Sequence, residues 1–181
     1  MSTAMTTGFV TLPAPADRSW AGLALLVAFG MAATVGGALW FEHVAGYVPC
    51  KLCLQQREAY YLGLPFALFA VPAILARMPQ CVARGCLAIA GLCLLSTAAL
   101  GIYHAGAEWA LWPGPSDCGA AASAPTDAGG LLSSLSTTRP PSCTDAPWRL
   151  LGLSFAGWNV VMASALAALA LWAAARRART T

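Results

Sequence analysis

Two cysteines separated by two residues, Cys50 and Cys53, stand where an apolar segment begins, in the run PCKLCLQQR at 49–57. A helix that begins at about Cys50 places Cys53 in its first turn and Arg57 one turn further along the same face. The positive end of the helix dipole, together with Lys51 and Arg57, stabilises a thiolate at this position. The spacing and its flanks favour redox chemistry over a pair of small apolar side chains.

The composition predicts a membrane protein. The chain of 181 residues is 59% hydrophobic and only 9% charged, whereas a soluble domain carries about a quarter charged residues. Its net charge of +3 is too small to suggest a nucleic-acid partner, and its basic residues are not clustered with aromatic ones.

Four apolar runs predict the fold class, an all-α membrane protein with a four-helix transmembrane bundle and one long outer loop. Each run is long enough to cross a hydrocarbon layer of about 30 Å. The spans are expected at about residues 20–41, 56–76, 85–105 and 150–175, and the outer loop at about 106–149. Residues 1–181 are expected to form a single domain.

Lysines and arginines predict the orientation. The side that holds both termini and the 77–84 loop carries six cations, and the opposite side carries four. The excess of cations marks the cytoplasmic side, so both termini are expected there. Disulfides persist outside the cytosol. The cysteines expected on that outer side are Cys50, Cys53, Cys118 and Cys143. Those on the reducing side or among apolar residues, and expected to be bystanders, are Cys81, Cys86 and Cys93.

The two outer cysteine pairs differ in their surroundings. The first pair is fixed at a helix end, whereas Cys118 and Cys143 flank a stretch rich in Ala, Ser and Gly. Thiol–disulfide exchange requires one sulfur to approach another, so a mobile pair that can reach a fixed pair favours an electron relay. The residues alone leave three disulfide pairings open. Beside Cys53 lies the bilayer edge, where a lipid-soluble quinone can accept electrons and Arg57 can polarise its carbonyl.

Three features of the sequence occur together in one known family. They are CKLC at 50–53 with Arg57, YHAG at 103–106 leading to Cys118, and Cys143 followed by PWRLLGL at 147–153. Together they resemble the DsbB family of bacterial disulfide bond formation proteins. The resemblance covers nearly the whole chain after the first twenty residues, with the same four spans, order of thiols and loop sizes.

The resemblance implies a thiol:quinone oxidoreductase of the bacterial inner membrane, with its active cysteines in the periplasm. Such a protein reoxidises a periplasmic DsbA-like thioredoxin-fold oxidase and passes the electrons to membrane ubiquinone or menaquinone. The implied catalytic residues are Cys50, Cys53, Cys118 and Cys143, the implied quinone-binding residues are Arg57 and His104, and no metal ligand is implied. The resemblance further implies that Cys118 takes on the mixed disulfide with the oxidase, that its partner Cys143 exchanges with Cys50, and that Cys53 faces the quinone.

Two alternatives belong to other classes of protein. A four-span metal-binding or metal-transport protein would use Cys50, Cys53 and His104 as soft ligands, but it predicts more His and Met than the two His and five Met present. A structural membrane subunit would use its cysteines as staples, and it predicts no consequence of changing Arg57. Within the enzyme class, a paralogue with one dedicated substrate or a quinone reductase of the vitamin K epoxide type would share the chemistry.

Overall fold

The computed structural model describes residues 19–115 and 142–176. Within these ranges the elements are α1 (Ser19–His43), α2 (Lys51–Leu75), α3 (Gln80–Glu108), β1 (Arg149–Leu150), β2 (Leu153–Ser154) and α4 (Phe155–Ala175). All four helices are long and apolar enough to cross a membrane, so the predicted four-helix transmembrane fold is confirmed. Residues 116–141, most of the predicted outer loop, lie outside the described ranges.

The start of the fourth helix differs from the prediction. The span expected from about residue 150 begins as a helix only at Phe155, because 149–154 forms a short antiparallel hairpin. Its turn has Leu151 and Gly152 at positive φ angles of 53° and 85°, a conformation that glycine adopts without steric cost. The side chain of Ser154 then caps α4 by accepting a hydrogen bond from the Gly157 N–H at 3.2 Å.

Small side chains let the helices approach one another. Helix α3 packs against both α2 and α4, and α1 packs against the same two helices. Close packing over small residues drives helix association where lipid tails remove the usual hydrophobic gain. At one end of the bundle, where α1 begins and α4 ends, lies a set of buried side chains called here the terminal cluster: Trp20, Ala24, Ala70, Ile74, Ala83, Leu87, Ala173 and Ala174.

The opposite end of the bundle, where α1 and α3 end and α2 and α4 begin, is called here the site end. Helix α2 starts there with Cys50 as its N-cap residue, in extended backbone conformation with φ −80° and ψ 171°. Its sulfur accepts a hydrogen bond from the Cys53 N–H at 3.4 Å. The helix start predicted from the sequence is therefore confirmed.

Candidate active site

A cavity of about 870 Å³ opens at the site end, between all four helices and the segment that carries Cys143. Its size is that of a small-molecule pocket. Apolar and aromatic side chains form much of the wall, among them Phe41, Tyr47 and Phe155. The polar and reactive side chains on the wall include Cys50, Cys53, Arg57, His104, Glu108 and Asn159.

The two thiols of the CxxC motif lie side by side on this wall. Their Sγ atoms are 3.0 Å apart, and both cysteines are free thiols. Cys50 is buried, with 3% of its surface exposed, and Cys53 is partly buried. The Nε2 atom of His104 lies 3.7 Å from Cys50 Sγ. The structure therefore brings together the CxxC pair and the histidine predicted from the sequence.

Contacts around Cys50 lower the pKa of its thiol well below the ordinary value. The largest cause is the hydrogen bond from the Cys53 thiol, and burial acts in the opposite direction. The hydrogen bond with His104 lowers the pKa further, as does the hydrogen bond from the backbone N–H of Cys53. The sequence attributed thiolate stabilisation to the helix N-terminus, Lys51 and Arg57. The N–H of Cys53 in the first turn of α2 does contribute, but the larger effects on Cys50 come from the Cys53 thiol and from His104 of α3. In the reduced pair, these contacts favour negative charge on the Cys50 sulfur.

Cys143 approaches the same sulfur from the segment before the hairpin. It is 1% exposed and forms a small buried cluster with Cys50 and Leu52, against which Cys53 also packs. Cys143 is bonded in a disulfide. A disulfide sulfur thus lies beside a thiol of low pKa, the arrangement from which exchange proceeds. Cys118, the fourth predicted catalytic cysteine, lies outside the described residues.

A buried hydrogen-bond network stands behind His104. The Nδ1 atom of that ring lies 3.0 Å from Nε2 of Gln56, whose amide nitrogen also donates to the Leu52 carbonyl at 3.1 Å. The Gln56 Oε1 accepts from Nδ2 of Asn159 at 2.7 Å, and Tyr60 donates its hydroxyl to Asn159 Oδ1 at 2.8 Å. This network joins α2, α3 and α4 and fixes the position of the imidazole.

Glu108 approaches the other side of the imidazole. Its Oε1 lies 3.7 Å from His104 Nε2, and the glutamate side chain is 4% exposed. Its second carboxylate oxygen accepts a hydrogen bond from the hydroxyl of Ser154, the residue that caps α4. One carboxylate therefore ties the end of α3 to the start of α4 and faces the imidazole of His104.

Arg57 lies on the cavity wall, one helical turn from Cys53, as predicted. Its guanidinium forms an ion pair with Glu42 at the end of α1 and donates to the Ala38 carbonyl at 3.4 Å. The two charged side chains are 13% and 25% exposed. A guanidinium has five N–H groups, so these contacts hold the group in place without exhausting its donors.

Sequence reasoning missed three residues of the site, Gln56, Glu108 and Asn159. Glu108 follows His104 by four residues, so the two share one face of a helix. Asn159 is a polar residue inside an apolar span, a position that marks a functional site by default. Gln56 follows the CxxC motif by three residues and so lies on the same face as Cys53. Each of these signals is present in the sequence, but only the folded chain shows which groups they contact.

The metal-binding alternative has suitable atoms but unsuitable surroundings. Ligand atoms of Cys50, Cys53 and His104 lie within 4.8 Å of one another. A histidine that binds a metal almost always donates its other ring N–H to an acceptor such as a carbonyl or carboxylate. Here the other ring nitrogen faces the amide nitrogen of Gln56. The arrangement therefore does not favour a resident metal.

Comparisons with known proteins agree with the geometry. The family model described as "Disulfide bond formation protein DsbB" matches residues 19–173. A protein of Azoarcus sp. (strain BH72) named "Disulfide bond formation protein B" is 32% identical over 82% of this chain and 84% of its own length. Proteins of the same name from Nitrosomonas europaea and Marinobacter nauticus are 31% and 32% identical, over 82% and 86% of this chain and 90% of each relative.

No solved structure matches the chain significantly. The family match spans all four membrane-crossing helices, and the CxxC thiols, His104 and Cys143 converge at one end of them. The chain is a multi-pass membrane protein and belongs to the DsbB family.

Proposed function

We propose that this protein is a disulfide-generating oxidoreductase that reoxidises a DsbA-like thioredoxin-fold partner and passes the electrons to a membrane quinone. The observation that carries the proposal is the convergence of three sulfurs, with the Cys143 disulfide packed against Cys50 and the Cys50 thiol 3.0 Å from Cys53. A disulfide and a dithiol in contact can exchange without large movement of either.

The electrons move in three balanced exchanges. The reduced partner attacks the disulfide of Cys143, whose proposed other half is Cys118, and leaves as a disulfide while this loop pair becomes a dithiol. The loop dithiol then reduces the Cys50–Cys53 disulfide through a mixed disulfide between Cys143 and Cys50. Two electrons and two protons finally leave the Cys50–Cys53 dithiol for the quinone, and the CxxC disulfide is restored.

The low pKa of Cys50 suits it to the middle exchange. A sulfur stabilised as a thiolate is a good leaving group when the mixed disulfide breaks. Cys53 is the resolving thiol, because it lies within contact of Cys50 and faces the cavity. His104, at 3.7 Å from Cys50 Sγ, stabilises the charge that develops on that sulfur.

The cavity has a donor set that fits a quinone ring. Its walls combine aromatic faces from Phe41, Tyr47 and Phe155 with the guanidinium of Arg57 and the thiol of Cys53. Bound there, a quinone would supply a two-electron acceptor beside the CxxC pair. Arg57, held by Glu42, is placed to donate a hydrogen bond to a ligand carbonyl and to favour negative charge on its oxygen.

The choice of acceptor follows from the sign of the driving force. A DsbA disulfide is strongly oxidising, at about −120 mV, so its regeneration requires an acceptor of still higher potential. Glutathione does not meet that requirement, and a respiratory quinone does. Arg77, Arg84 and Arg176 lie at the end of the bundle that holds the terminal cluster. These cations support placing that end in the cytoplasm and the thiols in the periplasm of a bacterial inner membrane.

The test is quinone reduction by the purified protein. The oxidised protein in detergent receives a reduced DsbA-like partner and ubiquinone, and quinol formation is followed by absorbance. Activity should vanish in Cys53→Ser and should fall in Arg57→Ala with a rise in the KM for quinone. The matched control is Arg77→Ala, which removes an exposed arginine at the end of the bundle that holds the terminal cluster. It should behave as wild type.

Two results would contradict the proposal. One is a quinone that stays oxidised while the partner is reduced and all cysteines of the protein are intact. The other is quinone reduction that continues at the wild-type rate in Cys53→Ser.

A further inference from the structure

Gln56 has a buried side chain whose hydrogen-bonding groups are all engaged. The residue is 5% exposed. Its Nε2 atom contacts the Leu52 carbonyl at 3.1 Å and His104 Nδ1 at 3.0 Å, and its Oε1 contacts Asn159 Nδ2 at 2.7 Å. An amide has two N–H donors and one carbonyl oxygen. These three contacts therefore use both donors and occupy the acceptor.

The direction of each bond follows from the Leu52 carbonyl. Oxygen and nitrogen of a side-chain amide are assigned from their hydrogen-bond partners. A backbone carbonyl only accepts, so the Gln56 atom beside it is the nitrogen, and its second N–H points at His104. Asn159 supports this assignment, because its nitrogen faces Gln56 Oε1 while its oxygen accepts from the Tyr60 hydroxyl.

This direction determines where the imidazole carries its proton. Because Gln56 donates to Nδ1, that nitrogen presents a lone pair, and the neutral ring holds its proton on Nε2. Nε2 lies 3.7 Å from Cys50 Sγ and 3.7 Å from Glu108 Oε1. Both neighbours accept hydrogen bonds when ionised. The N–H is thus directed at a thiolate and a carboxylate.

We propose that Gln56 is a positioning residue that fixes His104 in the Nε2–H tautomer, so that the ring acts as a hydrogen-bond donor to the Cys50 sulfur. The side-chain hydrogen bonds of Gln56 go to Leu52, His104 and Asn159 rather than to either sulfur, so it acts through the imidazole. The consequence is a specific role for His104 as a stabiliser of the thiolate rather than the base that deprotonates it. The proposal concerns the same site as the proposed function, but the position of the ring proton can be measured without any turnover.

The direct test is ¹⁵N NMR of the reduced protein with labelled histidine. The chain has two histidines, His43 and His104, and a His43→Gln variant assigns their signals. At neutral pH the His104 spectrum should show an unprotonated Nδ1 and a protonated Nε2. A proton on Nδ1, alone or together with one on Nε2, would overturn the proposal.

Gln56→Glu tests the cause of the tautomer. A carboxylate at this position accepts a hydrogen bond instead of donating one, so the His104 Nδ1 signal should shift to that of a protonated nitrogen. Gln55→Glu makes the same chemical change one residue earlier, on a different face of α2, and should leave the His104 spectrum unchanged. An unshifted Nδ1 signal in a folded Gln56→Glu variant would show that Gln56 does not set the tautomer.

The outcomes separate this proposal from the proposed function. If the wild-type protein has the Nε2–H tautomer and reduces no quinone, the proposed function fails and the assignment to Gln56 stands. If the protein reduces quinone with its proton on Nδ1, the assignment fails alone. Should Gln56→Glu not fold, the wild-type spectrum still decides whether His104 is a donor towards Cys50.

Discussion

The terminal cluster and the site end are built from the same four helices by opposite means. All eight buried side chains of the terminal cluster are apolar, and five of them are alanine. The buried polar residues are instead found towards the site end, where Gln56, Thr97, His104 and Ser154 are each at most 5% exposed. Within residues 19–115 and 142–176, every buried side-chain nitrogen and oxygen has a hydrogen-bond partner.

The difference indicates which end of the bundle is suited to chemistry. Close contact between small residues suffices to associate helices in a membrane, and the terminal cluster uses little else. Polar side chains inside membrane-crossing helices cost free energy and are usually functional. Because every buried polar side chain that the structure describes at the site end has a hydrogen-bond partner, the arrangement supports a functional site there.

The largest effect is expected when the two ends are compared through their cysteines. Cys50→Ser should abolish quinol formation, because serine can form no mixed disulfide with Cys143. Cys86→Ser changes a thiol that packs against the terminal cluster and should keep wild-type turnover. The measurement is quinol absorbance for both variants, prepared and oxidised in the same way. Loss of activity in Cys86→Ser would show that the chemistry does not depend on the site end alone.

A second effect comes from the hydrogen-bond network. Asn159→Leu leaves Gln56 Oε1 and the Tyr60 hydroxyl without their partner, at a cost of about 1–3 kcal/mol for each buried group. The thermal midpoint in detergent should fall, and turnover should fall roughly tenfold as Gln56 shifts. Val161→Leu, at an exposed position of the same helix, is the control. If the network contributes to neither stability nor turnover, the Asn159→Leu variant will be as stable and as active as this control.

The pH dependence of alkylation tests the electrostatics of the site end. Because the pKa of Cys50 is lowered, its thiolate persists at pH values below the ordinary thiol pKa of about 8.5. The rate at which iodoacetamide modifies Cys50 of the reduced protein should therefore already be at its plateau at neutral pH, and it should decline only in acid. His104→Ala removes a hydrogen bond to the Cys50 sulfur and should move this profile to higher pH. Mass spectrometry locates the modified residue, and the urea-unfolded protein gives the reference profile.

Within the pH experiment, the decisive comparison is between folded and unfolded protein. Identical pH profiles for Cys50 in the two states would mean that the site does not stabilise its thiolate.

The smallest effect on turnover is expected in the terminal cluster. Ala173→Leu adds volume where the side chain is fully buried, and overpacking of this kind costs about 1–3 kcal/mol. The thermal midpoint should fall, while the activity per folded molecule stays unchanged. Ala168→Leu, at an exposed position of the same helix, should change neither quantity. A marked loss of activity per folded molecule in Ala173→Leu would mean that the two ends are coupled.

The sequence predicted those parts of the molecule that depend on local pattern. Apolar runs located four helices, and the CxxC motif at the beginning of an apolar run located the start of α2. The hairpin at 149–154 was not predicted, because its residues continue the apolar run that leads into α4. The pairing of Arg57 with Glu42 and the contact of Tyr60 with Asn159 were also not predicted. Both join different helices, and nothing in the spacing of one helix specifies its neighbour.

The hairpin at 149–154 has a consequence for the rate of exchange between Cys143 and Cys50. Ser154 anchors it to Glu108 and to the first turn of α4, so the chain before it is a tether that ends at a fixed point. A tethered sulfur meets its target at an effective concentration set by tether length. The exchange should therefore proceed at one rate however dilute the protein is. Insertion of flexible residues between 144 and 148 should slow it gradually, roughly as the −3/2 power of length.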